Sequence, residues 1–202
     1  MSHLDPKLHG TEAVSPWVAR WAHLVPQTGQ VLDLACGHGR HARYFLDKNL
    51  AVAVVDISDL AIKYIANNIS TEASKRAELI VADLENNPWP LPGRIFSAIV
   101  VTNYLWRPLL PTIVQSLAPG GVLLYETFAA GNETVGKPSR PDFLLQNGEL
   151  LSVCASLRIV AYEDGFLPHP DRFVQRIVAV NDGQVADKAT SRYSLTALDA
   201  NW

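Results

Sequence analysis

The residues best able to do chemistry in this sequence are three carboxylates, each at the end of an apolar run. Asp33 sits in Val31-Leu32-Asp33-Leu34, Asp56 closes Ala51-Val52-Ala53-Val54-Val55, and Asp83 follows Leu79-Ile80-Val81-Ala82. Between the first two lies the turn Ala35-Cys36-Gly37-His38-Gly39, followed directly by Arg40. Gly37 and Gly39 permit backbone angles closed to other residues and let a ligand approach the main chain closely. A helix starting after the turn adds unpaired N–H groups. An ionised Asp56 offers only acceptors, which suits the two hydroxyls of a ribose. Asp83 can accept from the amino group of an adenine, with Leu84 packing beside it or offering its N–H. Asp33 would repel a pyrophosphate and attract an ammonium or sulfonium group. Simpler roles stand beside these: a hydrogen bond from Asp33 to the loop backbone, helix capping by Asp56, and a solvated turn at Asp83.

A second group of polar residues falls later. Asn103 and Tyr104 follow the apolar run Phe96–Val101, and Lys137 and Arg140 lie in a loop rich in Gly, Asn and Pro. His169 stands between Pro168 and Pro170. Lys137 and Arg140 can grip an anion or simply be solvated, Tyr104 can be a packing residue, and His169 can be a turn residue. His38 and His41 lie three apart near a helix start, but no third ligand accompanies them, so no metal site is expected.

These residues need a scaffold that brings strand ends together. Ser15-Pro16 opens a helix over about 15–25, with Val18, Trp21, Ala22 and Val25 at helical spacing. Strands and helices then alternate. The apolar runs near 31–34, 51–55, 79–82, 96–101 and 122–125 read as strands, with helices after the first and second and near 108–117. Pro119-Gly120-Gly121 reads as the turn into the fifth strand. A long irregular segment over about 128–148 follows, with another helix within 144–157. Two strands over about 157–180 have no helix between them, which predicts an antiparallel hairpin. Residues 181–202 are polar and of uncertain fold. The whole chain, 1–202, reads as one α/β domain: an open sheet with helices on both faces, whose ligands bind beyond the carboxyl ends of the strands.

Composition narrows the function. With 202 residues, 48% hydrophobic and a net charge of −3, the chain is long and apolar enough to bury a sizeable core. Seventeen Lys+Arg against 20 Asp+Glu disfavour a dedicated nucleic-acid binder. Cys36 and Cys154 form no disulfide framework, no apolar run reaches 18 residues, and the first ten residues are not a secretory signal. A soluble, cytoplasmic protein is expected.

The motifs together resemble the class I methyltransferases that use S-adenosylmethionine, over roughly residues 30–126. Asp33, Ala35, Gly37 and Gly39 match the family's first motif, Asp56 and Ile57 the second, and Asp83 and Leu84 the third; Leu117–Leu124 matches the entry into strand five. Ala35 departs from the glycine that many members carry. The resemblance implies a Rossmann-like sheet of about seven strands, mostly parallel with the last antiparallel. It implies that the glycine-rich turn holds the methionine part of the cofactor, that Asp56 holds the ribose, and that Asp83 faces the adenine. Arg40 would touch the methionine carboxylate or be solvated, and Asn103 and Tyr104 would border the transferred methyl. Lys137, Arg140 and His169 would serve the acceptor. The run Asp33–His41 looks most like small members such as the tellurite-resistance type. Thr102-Asn103-Tyr104-Leu105 lacks the Asn-Pro-Pro-Tyr form used on DNA and protein amino groups, so the expected acceptor is a small molecule. Two alternatives are a protein that binds the cofactor without catalysis and a nicotinamide enzyme, since Gly37–Ala42 also fits Gly-x-Gly-x-x-Ala. The acceptor, the need for a base and the oligomeric state are not written in the sequence.

Overall fold

A computed structural model describes residues 12–183 and 192–197; the remainder of the 181–202 tail lies outside the described residues. Seven strands form one sheet in the order β3-β2-β1-β4-β5-β7-β6. They are β1 (Gln30–Leu34), β2 (Ala51–Asp56), β3 (Ala77–Val81), β4 (Phe96–Thr102), β5 (Leu117–Phe128), β6 (Arg158–Leu167) and β7 (Arg172–Val180). The first five are mutually parallel, and β7 runs antiparallel to both β5 and β6, as expected. Strand order reverses between β1 and β4, so a crevice opens at their carboxyl ends.

Helices cover both faces. On one lie α1 (Pro16–Trp21), α2 (Arg40–Asp47), α3 (Asp59–Asn68) and α4 (Thr71–Ser74), whose Trp17, Trp21, Phe45 and Ile65 pack on Val31, Val54, Val100 and Leu124. On the other lie α5 (Leu110–Gln115) and α6 (Glu149–Val153), with Ile113 and Leu150 on Leu32, Ile99 and Leu123. This alternation follows from the period-two exposure of strand side chains. Trp17 and Trp21 each remove roughly 150–250 Å² from water and meet edge to face at 5.8 Å. Serines start three helices: the hydroxyls of Ser15, Ser58 and Ser70 accept from Trp17, Ala61 and Ala73 N–H, each cap contributing about 1 kcal/mol.

The structure departs from expectation at several boundaries. α1 ends at Trp21 and passes into a 3₁₀ turn, Ala22–Leu24. Pro119-Gly120-Gly121 is not a turn before β5 but a bulge within it: Leu117 pairs with Phe96, and Val122 with Ala98. Gly121 is required there, because a Cβ would lie 2.7 Å from Ala118 O and 2.8 Å from Phe96 O. The helix expected within 144–157 shrinks to the five residues of α6. Residues 128–148 are irregular but well anchored. Asn132 is fully buried; its amide donates to Pro138 O (2.9 Å) and its carbonyl accepts from Phe173 N–H (3.1 Å). No helix among the described residues is long and apolar enough to cross a membrane.

Candidate cofactor and acceptor site

Register gathers polar residues at the carboxyl edge: Thr102, Glu126, Arg176 and Glu163 form one row, and Asp33 stands two residues short of it. Asp33 lies level with Val54 and Val100, Thr102 with Glu126, Glu126 with Arg176, and Arg176 with Glu163. Counting by twos along each strand puts Asp33, Asp56, Thr102, Glu126, Arg176 and Glu163 on the face that carries α1 and α2.

Asp56 organises the glycine-rich turn. One carboxylate oxygen accepts from Gly37 N–H (2.8 Å) and the other from Ser58 N–H (2.8 Å), while Cys36 N–H donates to Val55 O. Each oxygen keeps a further lone pair for a ligand hydroxyl. Beside it, Ile57 is 65% exposed, an apolar side chain with nothing packed over it. Gly37 has φ +54° and Gly39 φ +74°, and a Cβ on Gly39 would lie 2.7 Å from the Ile65 side chain. Glycine there lets α2 start against α3. Ala35 adopts φ +52°. It occupies the left-handed region where many relatives of the motif have glycine, at a cost of about 1–2 kcal/mol.

Asp33 faces inward rather than into open solvent. It is 1% exposed, and its carboxyl accepts from Ala42 N–H (2.9 Å) in the first turn of α2. Burial pushes its pKa up to about 8 against the pull of that N–H, so the group is neutral at pH 7 in this state. Its partner is thus the backbone of α2, one turn past the glycine-rich loop to which the simpler reading assigned it. Its neighbour His41 is buried and held neutral by burial, with its pKa near 3. His41 Nε2 accepts from Ser15 N–H (3.4 Å), which leaves the proton on Nδ1, 3.9 Å from Asp33.

Asp83 lies two residues past β3. Its oxygens accept from Glu85 N–H, Asn86 N–H and the Asn86 side chain, and these bonds, led by Asn86, hold its pKa below the usual range. Leu84 is buried in the core of the opposite face. The acid thus builds its own turn, as the simpler reading of it supposes.

Tyr104 packs against the core of the face that carries α5 and α6. Its hydroxyl is buried without a hydrogen-bond partner. Burial first, then the charges of Glu85, Asp83 and Asp56, push its pKa up. Tyr125 holds it there by donating to Tyr104 O (2.8 Å). Asn103 is exposed, has φ +55°, and donates its N–H to Glu126 O (2.9 Å). Arg40 begins α2, with Glu12 at 3.9 Å.

The later candidates do not join this cradle. Arg140 pairs with Asp142 (2.7 Å) and lies over Phe143. Lys137 is exposed, and His169 stands at the tip of the β6–β7 hairpin with φ +58°. No hydrogen bond or ion pair among the described residues connects Lys137, Arg140 or His169 to Asp33, Asp56 or Asp83.

Sequence reasoning missed a buried network at the same edge. Glu126 is 1% exposed; its carboxylate accepts from Ser15 Oγ (3.0 Å) and from Arg176 (3.3 Å). Arg176 also binds Glu163 (Nε, 2.7 Å) and stacks on Trp17 at 4.8 Å. The signal was available for Glu126, an acid at the end of a strand like the other three. Further along the edge, Arg107 clamps Glu149 with two bonds (2.7 and 2.9 Å) and donates to Asp142 O and Leu144 O. Burial raises the Glu149 carboxyl, but Arg107 and the Gln146 N–H overcome this and leave its pKa below the usual range.

These residues fit an S-adenosyl compound. Acceptor oxygens of Asp56, a turn with two positive-φ glycines and an uncovered Ile57 stand together past the ends of β1 and β2. Residues 31–121, a little under half the chain, match the family described as methyltransferase domain. Comparison with curated protein sequences gives no match. Among solved structures, TehB from Haemophilus influenzae superposes with a TM-score of 0.68 at 20% identity, over 85% of this chain and 64% of that one. The chain therefore spans a little under two thirds of that relative's length. The glycopeptide N-methyltransferase MtfA complexed with S-adenosylmethionine gives 0.56 at 17%, over 77% and 82%. The [4+2]-cyclase SpnF gives 0.61 at 17%, over 81% and 77%. At these identities the likeness is one of fold. Sheet order and family match agree: residues 31–121 match a methyltransferase domain, and the fold is the one shared by TehB and MtfA.

Proposed function

We propose that the protein transfers the methyl group of S-adenosylmethionine to a small-molecule acceptor. The observation that carries this reading is the cradle at the β1–β4 crevice, where Asp56 fixes the Gly37 turn beside an uncovered Ile57. The turn and the first N–H groups of α2 would hold the methionine part, with Arg40 near its carboxylate. Asp56 would accept from the ribose hydroxyls, and Ile57, Asp83 and Leu84 would meet the adenine. Tyr104 would donate its unpaired hydroxyl to the adenosine. The cofactor supplies a methyl already activated on a sulfonium, so the chain's task is to align the acceptor and exclude water. Asn103, fixed through its N–H on Glu126, would border the acceptor. The negative net charge and the lack of the amino-group motif after β4 support a small molecule over nucleic acid. Two free, buried thiols, Cys36 and Cys154, support a reducing, cytoplasmic setting.

The test is transfer of a trideuterated methyl from labelled cofactor into a metabolite extract, read by mass spectrometry. New deuterated small molecules are expected with the protein and not with its Asp56→Ala variant. Cofactor binding without any labelled product would favour the non-catalytic alternative.

A further inference from the structure

Arginine at the carboxyl edge is abundant, and nearly all of it is committed. Arg107 is clamped by Glu149, Arg140 by Asp142, and Arg176 by Glu126 and Glu163. Arg172 is the exception. Its Nε is buried with no hydrogen-bond partner, and no carboxylate lies within ion-pair distance of it among the described residues. Lys137 likewise has no carboxylate partner among them. A buried guanidinium N–H left without an acceptor is disfavoured, and its natural complement is an oxyanion, which the planar fork binds through two bonds.

The fold brings these two cations to neighbouring segments. Fully buried Asn132 bonds to Pro138 O and to Phe173 N–H, so Lys137 and Arg172 each stand one residue from a direct partner of the same side chain. Gly131 presses on the Phe173 ring, where a Cβ would lie 3.0 Å from it, which tightens the junction. The acids nearby are mostly engaged: Glu133 accepts from Gly131 N–H, Asp142 holds Arg140, and Asp164 accepts from Tyr162. Asp171 adjoins Arg172 in sequence and is exposed. Arg172 and Arg176 lie four residues apart on β7 and so share a face. That is the face of the carboxyl-end row, and Arg172 stands about 13 Å beyond Arg176 along the strand.

We propose that Arg172 and Lys137 form an anion-binding subsite of the acceptor pocket, which takes a carboxylate or phosphate group of an extended organic acceptor. The anionic end then lies on the order of 10 Å from the methylated atom, given the strand rise separating Arg172 from the level of Asn103. The assignment rests on the methyltransferase reading and replaces Arg140, already paired, with Arg172.

The test uses the full chain loaded with S-adenosylhomocysteine and titrated separately with inorganic phosphate and with succinate. Arginine Nε–H signals are followed by nuclear magnetic resonance and affinities by calorimetry. A saturable shift of the Arg172 signal with at least one anion is expected. Affinity for that anion should fall roughly tenfold in Arg172→Gln and roughly threefold in Lys137→Gln, with S-adenosylhomocysteine affinity unchanged in both. Lys137 is exposed, so its variant keeps the test valid if Arg172→Gln folds poorly. No saturable shift with either anion, or wild-type anion affinity in both variants, overturns the subsite. Failure of S-adenosylhomocysteine to bind overturns the methyltransferase reading instead, and titrating the cofactor-free chain still decides the anion site.

Discussion

Replacing Asp33 by Asn should stabilise the cofactor-free protein while impairing its response to cofactor. Asp33 is 1% exposed and its pKa is pushed up to about 8 by burial, against about 3.9 in an unfolded chain. A folded pKa above the unfolded one gives a contribution fully present below pH 4 and lost as pH rises through 8. Over that window each pH unit removes about 1.4 kcal/mol, so the buried carboxyl lowers stability by about 4 kcal/mol at pH 7. Asparagine keeps an oxygen for the Ala42 N–H and does not ionise. Urea unfolding of both proteins without cofactor, at pH 5.5 and 8.5, is the assay. The advantage of Asp33→Asn over wild type should grow by about 3 kcal/mol between the two conditions. Parallel stability profiles for the two proteins would refute the buried, neutral carboxyl. If the cofactor's ammonium engages the ionised form, wild-type affinity for S-adenosylhomocysteine should rise with pH toward 8, and that of the variant should not.

Three further outcomes follow from the same geometry. Ala35→Gly should raise stability by about 0.5–1 kcal/mol in urea melts, because glycine relieves the φ of +52° at some entropic cost. Gly39→Ala should destabilise by about 2 kcal/mol or more, through the φ of +74° and the 2.7 Å approach to Ile65; wild-type melting would contradict it. Asn132→Ala should cost about 1–3 kcal/mol and speed hydrogen exchange at Phe173 and across residues 133–140, since both segments lose their shared buried partner.

Much of the site was legible because its signals are local. A carboxylate ending an apolar run, followed by a turn and a cap, announces itself within ten residues, and Asp33, Asp56 and Asp83 all stand where a parallel sheet gathers its strand ends. The final hairpin was legible for the same reason, two β-rich runs without a helix between them. Charge state was not legible. Asp33 looks like a charged ligand group in sequence and becomes a buried neutral one because α1 and α2 close over it, a tertiary effect. Nor could spacing show that Ser15 and Glu126, 111 residues apart, would meet. The Pro119-Gly120-Gly121 signal is a turn signal by composition, yet pairing across β4 absorbs it as a bulge. Arg140 stands out in the sequence by its place in the loop, yet Asp142 two residues on is the local partner that occupies it.

Calorimetric titration of the wild-type chain with S-adenosylhomocysteine and with NADH, and of the Asp56→Ala variant with S-adenosylhomocysteine, decides whether the acid at the end of β2 holds an adenosine cofactor. One molecule of S-adenosylhomocysteine should bind per chain, NADH should give no saturable heat, and Asp56→Ala should bind roughly tenfold or more weakly. Preference for NADH, or undiminished binding by the variant, would contradict a cradle built on the acid at the end of β2.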